Sequence, residues 1–288
     1  MATTLISLYC SVTLYTGGQS VISDLQSSGF NTVVAWALHV AANGDLYFND
    51  TPIVQAGNYT GDAAWPNLLA SLKQGTTSVT SLGFSVGGWG VGDFNNIKDL
   101  IDQHGTGSSS PLYQSFQALT QAIPAIDFID LDDETTYDQA STVAFCQMLY
   151  DSFNLHVTFC PYSSTSYWMD CFQALNTPTP GLVLGLNLQC YAGGGGNDPQ
   201  TWIQALNQEM GSGFDGASLV WPGLWCINGT GCDQGTAPAA MQTQFQQWHQ
   251  SESVVGGFVW LYNDIQHCQP SSGYTTADYA QALSGGLS

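Results

Sequence analysis

Ile126-Asp127-Phe128-Ile129-Asp130-Leu131-Asp132-Asp133-Glu134 sets five acids within eight residues, and no other stretch of the chain concentrates charge this way. Read as a β-strand, its side chains alternate between two faces. Asp130, Asp132 and Glu134 then share one face, and Ile129 and Leu131 share the other. Three carboxyls aimed the same way repel one another, and burying each costs several kcal/mol. Such a row is kept where pKa values must be pushed apart or a metal bound. The chain has three glutamates, Glu134, Glu209 and Glu252, so one at the end of this row is not filler.

Outward from the row, apolar β-rich runs alternate with helical patterns. The sequence predicts strands at Leu5–Val12, Asn31–Val40, Val79–Val86, Ile126–Asp133, His156–Tyr162, Leu182–Tyr191, Ala217–Leu224 and Val254–Tyr262. Near-continuous apolar strands are expected of a parallel sheet covered on both faces. Helix patterns lie between them. Asp138 is placed to cap a helix running through Ser152, and Asp198-Pro199 opens another. Gly44-Asp45 predicts a small hairpin after the second strand. Eight strand–helix repeats predict an α/β protein, a single (β/α)8 TIM barrel over residues 1–288, with its site at the C-terminal strand ends.

The formal net charge is −20, with 22 acids against Lys73 and Lys98 and no arginine. Nothing is available to neutralise phosphate, so neither nucleic acid, nor an anionic membrane, nor a nucleotide cofactor is expected. No cofactor of any kind is expected. Only 8% of residues are charged, and there are thirteen Phe, thirteen Tyr and nine Trp. A neutral polar surface with many rings suits a secreted, monomeric protein that meets a neutral polymer. No apolar run is long enough to span a membrane, and residues 1–15 show no signal peptide.

The eight cysteines fit disulfides in an oxidising compartment, with Cys226 and Cys232, which flank a short loop, as the expected pair. No paired Cys-x-x-Cys or His-x-x-x-His spacing predicts a zinc site, and no metal is expected. The alternative reading of the acidic row is a solvated strand end holding calcium through oxygen. Asn49, Asn58 and Asn228 begin glycosylation sequons.

The row Asp127-x-x-Asp130-x-Asp132-x-Glu134 resembles the signature of glycoside hydrolase family 18, which includes chitinases, endo-β-N-acetylglucosaminidases and non-catalytic lectin-like relatives. Ser85-Val86-Gly87-Gly88 is similar to that family's third-strand motif. Gln189-Cys190-Tyr191 is similar to the Gln-x-Tyr of the plant-type chitinases, and Gly256-Gly257-Phe258-Val259-Trp260 to the last strand with its tryptophan floor. Two positions depart: Phe128 stands where glycine is frequent, and Ala192 follows Tyr191 where many members carry Asp or Asn. About 30 residues separate the seventh and eighth strands, too few for the insertion domain that deepens some chitinase clefts.

The resemblance implies a retaining, substrate-assisted endo-hydrolase of β-1,4-linked N-acetylglucosamine. Glu134 would be the acid, Asp132 would hold the substrate acetamido group, Asp130 would share a proton with Asp132, and Tyr191 would bond the acetamido carbonyl. Trp260, Gln189, Trp89, Trp221 and Ser85 are the candidate substrate-binding residues, and Asp127 is expected to support the strand end. The partner implied is an oligo- or polysaccharide containing N-acetylglucosamine. Asp132-Asp133-Glu134 looks like the endo-β-N-acetylglucosaminidases of N-glycan cores, and Gln189-x-Tyr191 like the chitinases. The other class is a sugar-binding lectin on the same scaffold.

Overall fold

A computed structural model describes residues 4–288. Eight parallel strands form the barrel: β1 (Leu5–Cys10), β2 (Thr32–Val40), β3 (Ser81–Gly87), β4 (Phe128–Asp132), β5 (His156–Phe159), β6 (Val183–Gln189), β7 (Val220–Trp225) and β8 (Gly256–Trp260). Neighbours in the chain are neighbours in the sheet, and β1 closes the ring by pairing with both β8 and β2. The fold is the single (β/α)8 barrel that the strand pattern predicts. Among the described residues no helix is long and apolar enough to cross a membrane.

Strand alternation divides the apolar side chains into two cores. One lies between the sheet and the outer helices and takes the outward-facing residues of each strand, such as Leu8, Val33, Phe84, Ile129 and Leu131, all fully buried. The other fills the barrel interior with Tyr9, Val34, Phe128, Cys160, Tyr191 and Phe258. Large and small residues interlock there. A Cβ on Gly83 would overlap the Phe128 ring, and one on Gly223 would overlap the Phe258 ring. Phe128 thus has a physical reason: its bulk fills space that glycine leaves on the neighbouring strand.

After β2 the chain leaves the simple strand–helix repeat. The β2–β3 register shifts between Trp36 and Leu38. Past that shift, Leu38–Val40 pair antiparallel with Leu46–Phe48, the hairpin that Gly44-Asp45 predicts. Strands Thr51–Gln55 and Asn58–Tyr59 extend it into a meander.

Helix starts follow their caps. Asp138 accepts from the Ser141 N–H at 2.9 Å and opens Gln139–Phe153, and Asp198 accepts from the Gln200 N–H at 3.2 Å and opens Pro199–Met210. The helix Tyr262–Ser272 is not legible in the sequence, because Pro270 lies inside it and its apolar positions are few. Between β7 and β8 the chain makes one bridged loop and the helix Pro238–Glu252, with no inserted domain.

The expected Cys226–Cys232 pair is corrected. Cys232 bonds Cys268, 36 residues away, and ties the loop after β7 to the helix after β8. Cys226 is a buried free thiol whose sulfur sits beside the Leu261 backbone. A short spacing does not reveal that Cys226, just past β7 and next to the inward-facing Trp225, is buried on the opposite face, in the core toward the outer helices. Peptide mapping under non-reducing conditions is expected to give a Cys232–Cys268 peptide, with Cys226 alkylated only after denaturation; a Cys226–Cys232 peptide would contradict the fold. Removing the bridge should lower stability by up to ~4 kcal/mol, which urea titration measures.

Candidate active site

β4 carries Phe128, Asp130 and Asp132 along the barrel interior, and Glu134 follows just beyond its C-terminal end. Asp127, at the opposite end of the strand, accepts from Lys73 Nζ at 2.7 Å and from the Leu82 N–H at 2.8 Å. It fastens the start of β4 to β3 and lies far from the cleft. Lys98 pairs with Asp102 on a helix surface, so both lysines are committed away from the cleft.

Asp130 is fully buried. Tyr9 Oη donates to Oδ2 at 2.9 Å and Ser85 Oγ to the same oxygen at 2.7 Å. Thr158 Oγ1 donates to Oδ1 at 2.6 Å and Asn187 Nδ2 at 3.0 Å. Burial raises this carboxyl above the ordinary range, and the four donors oppose the rise.

Asp132 is raised well above the ordinary range, first by burial, then by the charges of Glu134 and Asp130. The nearby Trp36 indole acts against that rise. Glu134 is half-buried and raised chiefly by burial, opposed by the Gln189 amide. Gln189 Nε2 reaches Asp132 Oδ1 at 3.0 Å, Glu134 Oε1 at 3.1 Å and the Cys160 carbonyl at 3.2 Å. One amide nitrogen therefore holds both acids on the same side of the cleft.

The cleft has a volume of about 450 Å3 and is lined by Asp132, Glu134, Gln189 and Tyr191, with Trp36, Trp89, Tyr162, Trp225, Trp260, Ala192 and Gly193 around them. Trp260 and Tyr191 stack at 6.0 Å and 27°, and Trp36 meets Trp260 edge-on at 4.7 Å. Trp89 stands at the rim, 84% exposed. Gly87 and Gly88, at φ 107° and 119°, turn the end of β3 against β4, where the Gly88 N–H donates to the Asp132 carbonyl at 2.9 Å. Ala192–Gly194 forms a single 3-10 turn rather than an open loop, and Asn197 Nδ2 ties it to the Gln189 and Tyr162 carbonyls.

The structure brings Asp132, Glu134, Gln189, Tyr191, Trp260 and Trp89 to the C-terminal mouth, with Asp130 buried beneath them. Two expected substrate contacts are corrected. Ser85 is fully buried beneath the row and donates to Asp130, so it supports the acids and meets no ligand. Trp221 lies at the other mouth of the barrel, in a separate 180 Å3 cavity with Leu5, Asn31 and Leu184. β7 begins at Val220, so Trp221 opens the strand and Trp225 ends it. Both indoles point inward because four residues keep the same strand face; only Trp225 reaches the cleft. Trp36 is the cleft residue the sequence hid, since an indole inside an apolar strand reads as packing.

Among the described residues, the one close group of three metal-type ligands is Cys232, His267 and Cys268, and two of these sulfurs form the disulfide. The acidic row is not such a group.

No family model and no curated protein matches the sequence. Solved structures do match in fold. A chitinase from Bacteroides thetaiotaomicron aligns with a TM-score of 0.64 at 13% identity, covering 99% of this chain and 97% of that one. A GH18 chitinase mutant from Cycas revoluta, in complex with (GlcNAc)4, aligns at 0.64 and 11% identity over 99% and 100% of the two chains. Human YKL-39, described as a pseudo-chitinase with retained chitooligosaccharide binding, aligns at 0.65 and 10% identity over 99% and 100%. The barrel is therefore chitinase-like in fold.

Because burial raises all three carboxyls, they favour the folded state fully below the unfolded-state pKa of about 4, and that contribution is lost as pH rises through their raised folded values. Asp132→Asn is expected to raise the melting temperature at about pH 7 and to leave it nearly unchanged at about pH 3. Thermal melts at the two pH values check this, and an equal shift at both would contradict it.

Proposed function

We propose that the chain is a family 18-type glycoside hydrolase: a retaining, substrate-assisted endo-hydrolase of β-1,4-linked N-acetylglucosamine, in chitin or its oligosaccharides. The observation that carries this reading is the pairing of Asp132 and Glu134 on one amide nitrogen in an aromatic cleft. Sugar rings stack on indole faces, and the cleft supplies Trp260 beneath and Trp89 at the rim. Glycoside cleavage needs a proton delivered to the leaving oxygen. Glu134, half-buried and raised, is the group that holds one within reach of solvent.

As Glu134 protonates the leaving oxygen and the glycosidic bond breaks, a nucleophile must meet the anomeric carbon, and water deprotonated by Glu134 then opens that intermediate to product. Among the described residues, the only other carboxyl lining the cleft is Asp132. Gln189 holds both acids on one side, so no carboxyl stands across the sugar to attack directly or to activate water. A 2-acetamido oxygen on the substrate fills that role, as in the substrate-assisted exceptions to the two-carboxylate rule. Asp132 then accepts the acetamido N–H and steers its carbonyl oxygen toward C1. The Tyr191 hydroxyl, which makes no hydrogen bond to a described residue, is free to donate to that oxygen. Asp130, anchored by its four donors, sits below as the charge against which Asp132 keeps its proton. The coupled acids titrate jointly.

Two neighbouring readings remain. Asp132-Asp133-Glu134 favours an endo-β-N-acetylglucosaminidase acting on the chitobiose core of N-glycans. The likeness in fold to human YKL-39 favours a sugar-binding relative, against which stands the retained Glu134. A secreted, monomeric protein fits all three, and each takes a glycan containing N-acetylglucosamine as partner.

The deciding experiment offers chitin oligomers and a high-mannose glycoprotein to the protein and reads products by mass spectrometry. Shortened chitin oligomers are expected; release of the N-glycan alone would move the substrate to the chitobiose core, and no cleavage of either would favour a lectin. Glu134→Gln should lose hydrolysis by at least about a hundredfold while still binding oligosaccharide by calorimetry. Undiminished turnover in that variant would remove the acid assignment.

A further inference from the structure

Asp133 belongs to the acidic stretch but not to the cleft. It is 2% exposed and turned away from the lining residues. One of its oxygens accepts the backbone N–H groups of Thr135 at 3.0 Å and Thr136 at 2.9 Å. The other accepts the Tyr137 N–H at 2.8 Å and the Tyr167 hydroxyl at 3.3 Å. Four donors thus meet one carboxylate, and three of them are consecutive backbone amides of the turn that follows Glu134.

The turn is held on its far side as well. Tyr137 takes a left-handed φ of 49°, its ring meets Tyr167 edge-on at 5.3 Å, and its hydroxyl lies 3.1 Å from Ser163 Oγ. Tyr167 also bonds Thr142, 2.7 Å away, on the helix that follows β4. Glu134, by contrast, has one side-chain hydrogen bond, to Gln189. Its place depends on backbone fixed by β4 before it and by the Asp133-bound turn after it.

We propose that Asp133 is a positioning residue for Glu134: by gripping the Thr135–Tyr137 turn it fixes the Glu134 carboxyl over the cleft beside Asp132. The inference rests on Glu134 being the acid of the proposed hydrolysis. A carboxylate at this place does more than a neutral cap would. Its charge adds to burial in raising Glu134, the direction an acid catalyst requires. A neutral acceptor at 133 keeps much of the turn but removes the charge, so Glu134 then gives up its proton at lower pH.

The test uses the full chain labelled with carboxyl-13C glutamate. With three glutamates, Glu134→Gln assigns the Glu134 signal. In Asp133→Asn and Asp133→Ser the Glu134 midpoint is expected to move to lower pH, while the Glu209 and Glu252 signals stay in place. On chitin oligosaccharides, kcat should fall about tenfold or more with KM within about twofold, and the alkaline limb of the rate profile should move to lower pH. An unmoved Glu134 midpoint in a folded variant overturns the proposal. The carboxyl titration needs no turnover, so an inactive wild-type protein would refute the hydrolase reading without deciding the role of Asp133. If neither variant folds, hydrogen exchange on the wild type decides. Strong protection of the Thr135, Thr136 and Tyr137 amides supports the grip, and exchange at the rate of a free loop overturns it.

Discussion

Asp130 is out of contact with water and is held by donors from four different strands: Tyr9 on β1, Ser85 on β3, Thr158 on β5 and Asn187 on β6. A buried carboxylate without such partners would cost several kcal/mol or lose its charge. Meeting that demand fixes the axial register of four strands relative to β4. Once Asp130 is placed, strand alternation sets Asp132 one pleat higher, at the cleft floor, and Glu134 at the rim. Gln189 on β6 then bridges the upper two acids. The interior of the barrel is thus a polar column rising through an apolar filling, and its reactive end is the end that faces solvent.

The aromatic residues around the column do two things. Tyr9, Phe258 and Tyr191 pack the interior and exclude water from the lower acids, which is what raises them. Trp225 and Trp260 end their strands at the mouth, and together with Trp36, midway along β2, they line the cleft. Neither lysine comes near it. A neutral sugar is the ligand that asks for ring faces and a few hydrogen-bonding groups with no compensating cation. The same arrangement that would place a proton on Glu134 is the one that destabilises the ionised row, so stability and chemistry pull against each other at these residues.

The fold was legible because every barrel strand is buried on both faces and reads as a short β-rich apolar run, with acids and glycines marking the ends. The row was legible because its period of two holds from Asp130 to Glu134. What the sequence could not convey was position along a strand. Trp221 and Trp225 share a face, and with the strand read three residues early, the lower indole was expected at the C-terminal strand end. Ser85 read as a ligand contact because a motif names a residue, not the direction of its hydroxyl. Trp36 stayed hidden within an apolar run. Cys232 and Cys268 meet only after two βα turns have closed, a contact set by the barrel rather than by spacing.

The central claim is that the substrate's own acetamido oxygen attacks from the face that the protein leaves without a carboxylate. Proton NMR of the anomeric signals during the first moments of hydrolysis of a chitin oligosaccharide tests it most directly. The account predicts that the new reducing end appears as the β-anomer and only later mutarotates. Initial appearance of the α-anomer would mean that water attacks directly, and would contradict it.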